Sequence, residues 1–259
     1  MRNTNHKELA PRRLERLRQL VRHSRIVSVN EICKQLGVSA ATARRDLQEL
    51  KDSGEVRRVH GGAVITPGRL DEPLFEDKTS IAAKEKAQIA RAALKYIQPN
   101  DTVFLDGGST VLELGRLLKD HRKLTVVTNS LRAAFELAEQ GPRLILIGGE
   151  FRRLSQVTVG PLTRLTLQGL HVDKAFLGTI GLTTEQGLTT TDPSEAFTKQ
   201  LVMEHAREVI LLADHTKVGK ISFAHAGPLE KVDVLITDRG VEKPFARKLR
   251  KLGIEVVQA

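Results

Sequence analysis

Residues 28–63 read SVNEICKQLGVSAATARRDLQELKDSGEVRRVHGGA, and this stretch decides how the chain is organised. Ser28 and Glu31 have the spacing of a capping box, in which each side chain satisfies a free backbone N–H at a helix start. Ile32, Cys33 and Leu36 then form an apolar stripe that stops at Gly37. Ser39 is placed to cap a second helix whose inward face is Ala43, Leu47 and Leu50, in steps of four and three. Its outward face carries Ala40, Ala41, Thr42, Arg44, Arg45 and Gln48. Small, hydroxyl and arginine side chains on an exposed N-terminal half suit entry into a major groove. Gly54 is expected to end that helix, and Glu55 to Ile65 to follow as a strand pair carrying Arg57, Arg58 and His60 around Gly61-Gly62. The pattern predicts a winged helix-turn-helix that reads duplex DNA. Its expected contacts are Ser39, Thr42, Arg44, Arg45 and Gln48, with Arg57, Arg58 and His60 from the wing.

Charge weighs against the plainer alternative, a helical hairpin for protein contact. Residues 1–69 hold 15 Lys or Arg against 7 Asp or Glu, while residues 70–259 hold 26 against 24. The formal +10 is thus concentrated in the first quarter of the chain, the footprint of a polyanion-binding module. A single Cys excludes a disulfide framework and predicts a reducing, cytoplasmic setting. Nowhere do 18 apolar residues run together, so no membrane partner is expected. With one Tyr and no Trp, base stacking on single strands is disfavoured.

Working outward, Pro11 to His23 reads as a helix with Leu14, Leu17, Leu20 and Val21 on one face; its arginines could touch phosphates or simply face solvent. The expected division is a DNA-binding domain over 1–66, a linker over 67–77 rich in Pro, Gly and charge, and an α/β domain over 78–259 opened by a helix from Lys78 to Ile97. In that domain, apolar runs alternate with amphipathic segments: Thr102–Leu105, Leu124–Thr128, Leu144–Ile147, Ala175–Leu177, Val209–Ala213, Val232–Thr237 and Ile254–Val257. Continuous apolar strands separated by helices predict a largely parallel sheet covered on both faces. Asp106, Asn129, Gly148-Gly149, Gly178, Asp214 and Asp238 close successive runs. They therefore share the edge at which open α/β folds bind ligands.

Three segments carry candidate ligand groups. Asp106-Gly107-Gly108-Ser109-Thr110 joins a strand to a helix and either cradles a phosphate or forms a glycine turn with Ser109 as cap. Asp192-Pro193-Ser194-Glu195 has the form of a helix start, and Glu195 with Lys199 reads readily as a surface pair at i, i+4. Asp214-His215-Thr216-Lys217 could offer a carboxylate to sugar hydroxyls and an ammonium to a phosphate, or be a loop that tolerates charge. No metal site is expected, since His205, His215 and His225 are ten residues apart and match no local ligand spacing. No catalytic residue and no cofactor are expected.

The residues VSAATARRDLQELKDSGEVRRVHGGA resemble the DNA-binding domain of the DeoR family of bacterial transcriptional regulators, with Arg44-Arg45-Asp46-Leu47 and Arg58-Val59-His60-Gly61-Gly62-Ala63 as its signature. Ala40-Ala41-Thr42-Ala43 departs from the Glu-Met-Thr-Ile common there, at the base-reading end of the helix. The motifs from Asp106 to Gly219 resemble the effector domain of the same family, whose fold is related to ribose-5-phosphate isomerase and CoA transferases. The resemblance implies sensing of a phosphorylated sugar or related metabolite. It assigns Gly107, Gly108, Ser109 and Thr110 to the phosphate and Asp106, Glu195, Lys199, Asp214 and Lys217 to the polyol, with Thr128 and Asn129 in the same pocket. Gly107 stands where the family often has Ser, and His215 where Ser is frequent. The expectation is a homo-oligomeric repressor, dimer or tetramer, of a carbohydrate-utilisation operon, on double-stranded operator DNA. The alternative is a sugar-phosphate isomerase-like enzyme carrying a DNA-binding module.

Overall fold

The computed structural model describes residues 10–24, 26–52, 56–59, 61–65, 72 and 74–259. The chain divides into two compact units, Met1–Glu72 and Pro73–Ala259.

In the first unit, α1 (Ala10–Ser24), α2 (Val29–Leu36) and α3 (Ala40–Asp52) pack with β1 (Ile26–Ser28), β2 (Val56–Val59) and β3 (Gly62–Ile65). Each boundary has a local cause. Ser28 and Glu31 form the reciprocal capping box, and Gly37 ends α2 at φ +67°. Ser39 Oγ accepts from Thr42 N–H at 3.2 Å, starting α3. Leu14, Leu17, Val21, Ile32, Ala43, Leu47 and Leu50 are buried together as the expected inward faces. The wing gains a strand that was not anticipated: β1 joins β3 antiparallel, giving the order β1-β3-β2. A Cβ on Gly62 would stand 2.1 Å from Val27 O, so this pairing needs a glycine there. Gly54 and most of the expected linker lie outside the described residues.

The second unit starts with α4 (Phe75–Ser80) and α5 (Ala83–Leu94). A single helix from Lys78 to Ile97 is therefore corrected to two, broken where Ala82 takes φ +51°. The remaining elements in chain order are β4 (Thr102–Leu105), α6 (Ser109–Leu117), β5 (Thr125–Thr128), α7 (Leu131–Leu137), β6 (Arg143–Leu146), β7 (Glu150–Arg152), β8 (Val157–Val159), α8 (Leu162–Leu167), β9 (Val172–Leu177), β10 (Gly181–Thr183), β11 (Gly187–Thr190), α9 (Pro193–His205), β12 (Ala206–Leu212), β13 (Ala224–Gly227), β14 (Val234–Thr237), α10 (Lys243–Lys251) and β15 (Glu255–Gln258). All seven apolar runs become strands of one sheet, in the order β15-β14-β12-β9-β4-β5-β6, with every pairing parallel.

Alternation explains why those runs are apolar throughout. Val103 and Leu105, Ile210 and Leu212, and Val234 and Ile236 face a core completed by Ile89 and Ala93 of α5 and Leu114 of α6. Phe104, Val209, Leu211 and Leu235 face the other core, with Leu201 and Val202 of α9 and Leu249 of α10. A strand covered on both sides needs apolar residues at both parities. Beyond the sheet's carboxyl edge, β7-β8 form a hairpin and β10-β11-β13 a small antiparallel sheet, neither legible from the periodicity. The strand order reverses between β4 and β9, the place at which open α/β sheets hold ligands outside the carboxyl ends of their strands.

Candidate functional site

On α3, Ala41, Arg44 and Arg45 are exposed and Thr42 and Gln48 half-buried, so the expected reading face is a real surface. Ser39 Oγ and Thr42 Oγ1 are hydrogen-bonded at 3.0 Å, and Gln48 Nε2 donates to Asp52 Oδ1 at 2.7 Å. Ser39 thus acts first as the cap. Arg57 and Arg58 are consecutive on β2, with Arg58 exposed; His60 lies outside the described residues. Three of the α1 arginines have structural partners. Arg13 pairs with buried Asp46, Arg16 donates to Gln35 O, and Arg18 meets Glu15.

In the second unit the strand-order reversal brings Asp106, after β4, against Gly178, after β9. Gly178 N–H donates to Asp106 Oδ2 at 3.0 Å. Lys199 Nζ from α9 bonds Asp106 Oδ2 and donates to Gly178 O at 3.0 Å. Asp106 and Lys199 are both buried. The surface pair of Glu195 with Lys199 is therefore corrected: Lys199 turns to a carboxylate 93 positions away, which only the folded sheet brings near. Glu195 instead accepts from Thr190 Oγ1 at 2.9 Å and from Arg152 at 3.1 Å. Arg152, on β7, also meets Asp192 at 3.2 Å and Ser155 at 3.0 Å. Asp192 caps α9 through the N–H groups of Ser194 and Glu195, with Pro193 following as expected.

The Asp106–Thr110 segment turns as expected into α6, whose start has no side-chain cap. Ser109 and Thr110 are buried at that start, so free backbone N–H groups and hydroxyls share the positive end of a helix. The two glycines differ. Gly108 is extended and faces open space, whereas a Cβ on Gly107 would stand 1.9 Å from Val157 Cγ1 of β8. Val157 occupies the room a side chain at 107 would need.

Thr128 and Asn129 sit at the end of β5. Thr128 Oγ1 donates to Leu105 O at 2.6 Å and accepts from Ser130 N–H at 3.0 Å, tying β5 to β4. Asn129 Nδ2 donates to Thr158 O at 3.1 Å, while its Oδ1 is buried without a partner. Asp214 is fully buried after β12; Oδ1 accepts from Thr216 N–H at 3.0 Å, and Oδ2 has no partner. His215 Nδ1 lies 2.8 Å from Asp238 Oδ2. The Asp238 carboxyl is held below its ordinary value: burial pushes it upward, but the N–H groups of His215 and Gly240 outweigh that.

The sequence reading missed three residues of this region. Arg152 and Val157 come from the hairpin that periodicity did not show. Lys86 of α5, 2% exposed, does have a signal, for Lys86, Ile89, Ala90 and Ala93 follow the helical repeat and face inward together. Among the described residues no His, Cys, Asp or Glu group has the makings of a metal site. No helix among them is long and apolar enough to cross a membrane.

The arrangement places the Asp106–Lys199 pair, an Asp214 carboxylate with a free oxygen and the uncapped N–H groups of α6 at the carboxyl ends of neighbouring strands, which is equipment for recognising a small polar anion. Comparison with known proteins finds a family match for each of the two units. Residues 13–67 match the DeoR-like helix-turn-helix domain, and residues 81–239 match the DeoR C terminal sensor domain. The chain is 36% identical over 249 residues to the HTH-type transcriptional regulator GlpR of Haloferax volcanii, covering 96% of this chain and 98% of that protein. It is 34% identical over 248 residues to the putative aga operon transcriptional repressor of Escherichia coli O157:H7, covering 95% and 92%. Among solved structures, ribose 5-phosphate isomerase A of Methanocaldococcus jannaschii is similar at 19% identity and a TM-score of 0.40, over about half of each chain (53% and 55%). On the two domain matches and these near full-length relatives, this chain is a member of the DeoR family of DNA-binding transcriptional regulators.

Proposed function

We propose that the protein represses a carbohydrate-utilisation operon in the cytoplasm and is released, or engaged, by a phosphorylated sugar bound in the second unit. The observation that carries this reading is the set of polar groups at the strand-order reversal. There the buried Asp106–Lys199 pair adjoins the uncapped start of α6, and Asn129 Oδ1 and Asp214 Oδ2 remain buried without partners. Buried polar atoms are almost always hydrogen-bonded, so orphans at this edge of the sheet fit a ligand rich in hydroxyls. Gly107, Gly108, Ser109 and Thr110 take the phosphate. Asp106, Glu195, Lys199, Asp214 and Lys217 hold the polyol, and Thr128 positions Asn129 beside it.

Thr42, Arg44, Arg45 and Gln48 read base edges and nearby phosphates, with Arg57, Arg58 and His60 on the backbone or minor groove. One short helix reads few base pairs, so a homo-oligomer on repeated half-sites is the assembly proposed. Only a ligand that binds one arrangement of that assembly better can switch it. The relatives are regulators by name, and this chain is a regulator rather than an enzyme. The test is a thermal-shift screen of the full chain against pentose and hexose phosphates, followed by gel shifts on operator DNA with each hit. A hit that changes operator affinity for the wild type but not for Lys217→Ala supports the reading. A hit acting equally on both removes Lys217 from the pocket, and no hit among phosphorylated sugars defeats the proposal.

A further inference from the structure

Lys86 is among the most buried large side chains of the protein, yet no carboxylate lies within ion-pair distance of it among the described residues. Its ammonium donates to two neutral carbonyls, Lys78 O and, at 2.6 Å, Ile81 O. Those are the carbonyls that close α4, left over because the helix stops there. The charges acting on Lys86 belong to Asp214, which attracts it, and to Lys217 and Lys78, which repel it, with Glu113 a further attraction. Burial, more than these charges, holds the ammonium down to about 8.

Asp214 is buried with Oδ2 unpartnered, and Thr237 Oγ1 at the end of the neighbouring strand β14 is also buried and unpartnered. A buried cation without its anion, acted on by a buried carboxylate with a free oxygen, is a half-satisfied network. An anionic group completes it by taking N–H donors from Lys86 and Lys217 while a hydroxyl beside it donates to Asp214.

The opposite end of α4 is held by the same neighbourhood. Glu76 accepts from Arg132 at 2.6 Å and from Gln156 Nε2 at 2.9 Å. Phe75 packs against Leu112 of α6 and Ala133 of α7. Arg132 and Ala133 follow Asn129 within four residues, and Gln156 precedes Val157, which fills the space beside Gly107. The helix that follows the interdomain connector in the chain is thus fastened to segments leaving the pocket's own loops.

Resting on the sugar-phosphate reading above, we propose that Lys86 is an anion ligand of this pocket and its link to α4: an anion bound beside Asp214 and Lys217 draws the ammonium from the carbonyls that close the helix. Occupancy of the pocket is thereby felt at the tether of the DNA reader.

The experiment uses the full chain, a panel of pentose and hexose phosphates with inorganic phosphate as the minimal probe, and hydrogen exchange across residues 75–82. In the wild type a bound probe should raise exchange over that segment. Lys86→Met should show raised exchange without probe and about tenfold weaker probe binding, the scale of one lost charge-assisted hydrogen bond. Lys86→Arg, which keeps charge and donors, should bind within about threefold of the wild type, a difference well below one lost charged contact. Probe binding unaffected by Lys86→Met, equal weakening by Met and Arg, or exchange over 75–82 indifferent to the probe would each overturn the assignment. Those results leave the sugar-phosphate reading standing; a wild-type protein that binds no probe at all brings down both.

Discussion

Arg13 of α1 closes on Asp46 of α3 through both carboxylate oxygens, Nε to Oδ2 at 2.6 Å and Nη2 to Oδ1 at 3.0 Å. Asp46 is buried within Arg-Arg-Asp-Leu, so the one acid of that run points into the module while Arg44 and Arg45 point out. The pair fixes the rotation of α3 about its own axis, and so which side chains it presents. Asp46→Ala should destabilise the first unit by about 2–3 kcal/mol, the cost of losing charged hydrogen bonds to a half-buried arginine. Circular dichroism melts are the appropriate measurement, since the chain has no Trp. A variant as stable as the wild type would show the pair to be incidental.

Arg45→Ala should do the converse. The side chain is exposed on the reading face and its removal leaves no cavity, so the melt should shift little. Operator affinity should fall by about ten- to a hundredfold in gel shifts at fixed salt, corresponding to one lost base or phosphate contact. Thermal shifts with a sugar-phosphate hit should be unchanged. Equal loss of both activities would mean the two units are not independent.

Gly107→Ser should cost about 1–3 kcal/mol, because its Cβ would overlap Val157 Cγ1, which is buried and cannot swing aside. Val157→Ala opens that space at a cost of its own. The double variant should be more stable than the sum of the two single losses predicts, by 1 kcal/mol or so in a double-mutant cycle of denaturant midpoints. Additive losses would place Val157 elsewhere than beside the loop.

Lys199→Met leaves Asp106 buried with Gly178 N–H but without its cation, and should cost about 3–5 kcal/mol. Asp106→Leu combined with Lys199→Met removes the stranded charge and should recover much of that loss while abolishing ligand response. Recovery of stability and of response together would deny the pair any part in binding.

The Lys86 ammonium is lowered by burial from 10.5 to about 8, against the attraction of Asp214. The unfolded chain therefore binds more protons than the folded one between those values, and the stability penalty fades as pH rises through that window. Below about pH 8 both states are protonated and the penalty is constant. The urea midpoint of the wild type relative to Lys86→Met should accordingly rise between about pH 8 and pH 10. A relative midpoint that falls over that range would show that the folded protein holds this proton more tightly, not less.

What the sequence alone determined is local or periodic. Ser28 with Glu31 and Ser39 with Thr42 set helix starts within a single turn, and Gly37 sets an end. The seven apolar runs specified seven strands, because a strand buried on both faces cannot alternate with polar residues. The order of those strands, and hence which polar ends meet, was decided only by tertiary structure. Asp106 finds Lys199 across 93 positions, Glu195 finds Arg152 across 43, and Asp46 finds Arg13 across 33. Propensity and capping act over one or two turns, whereas a charge chooses its partner through the packing of whole elements. That is why the charged residues could be named as candidates while their pairings, and the burial of Lys86 at the end of α4, had to wait for the fold.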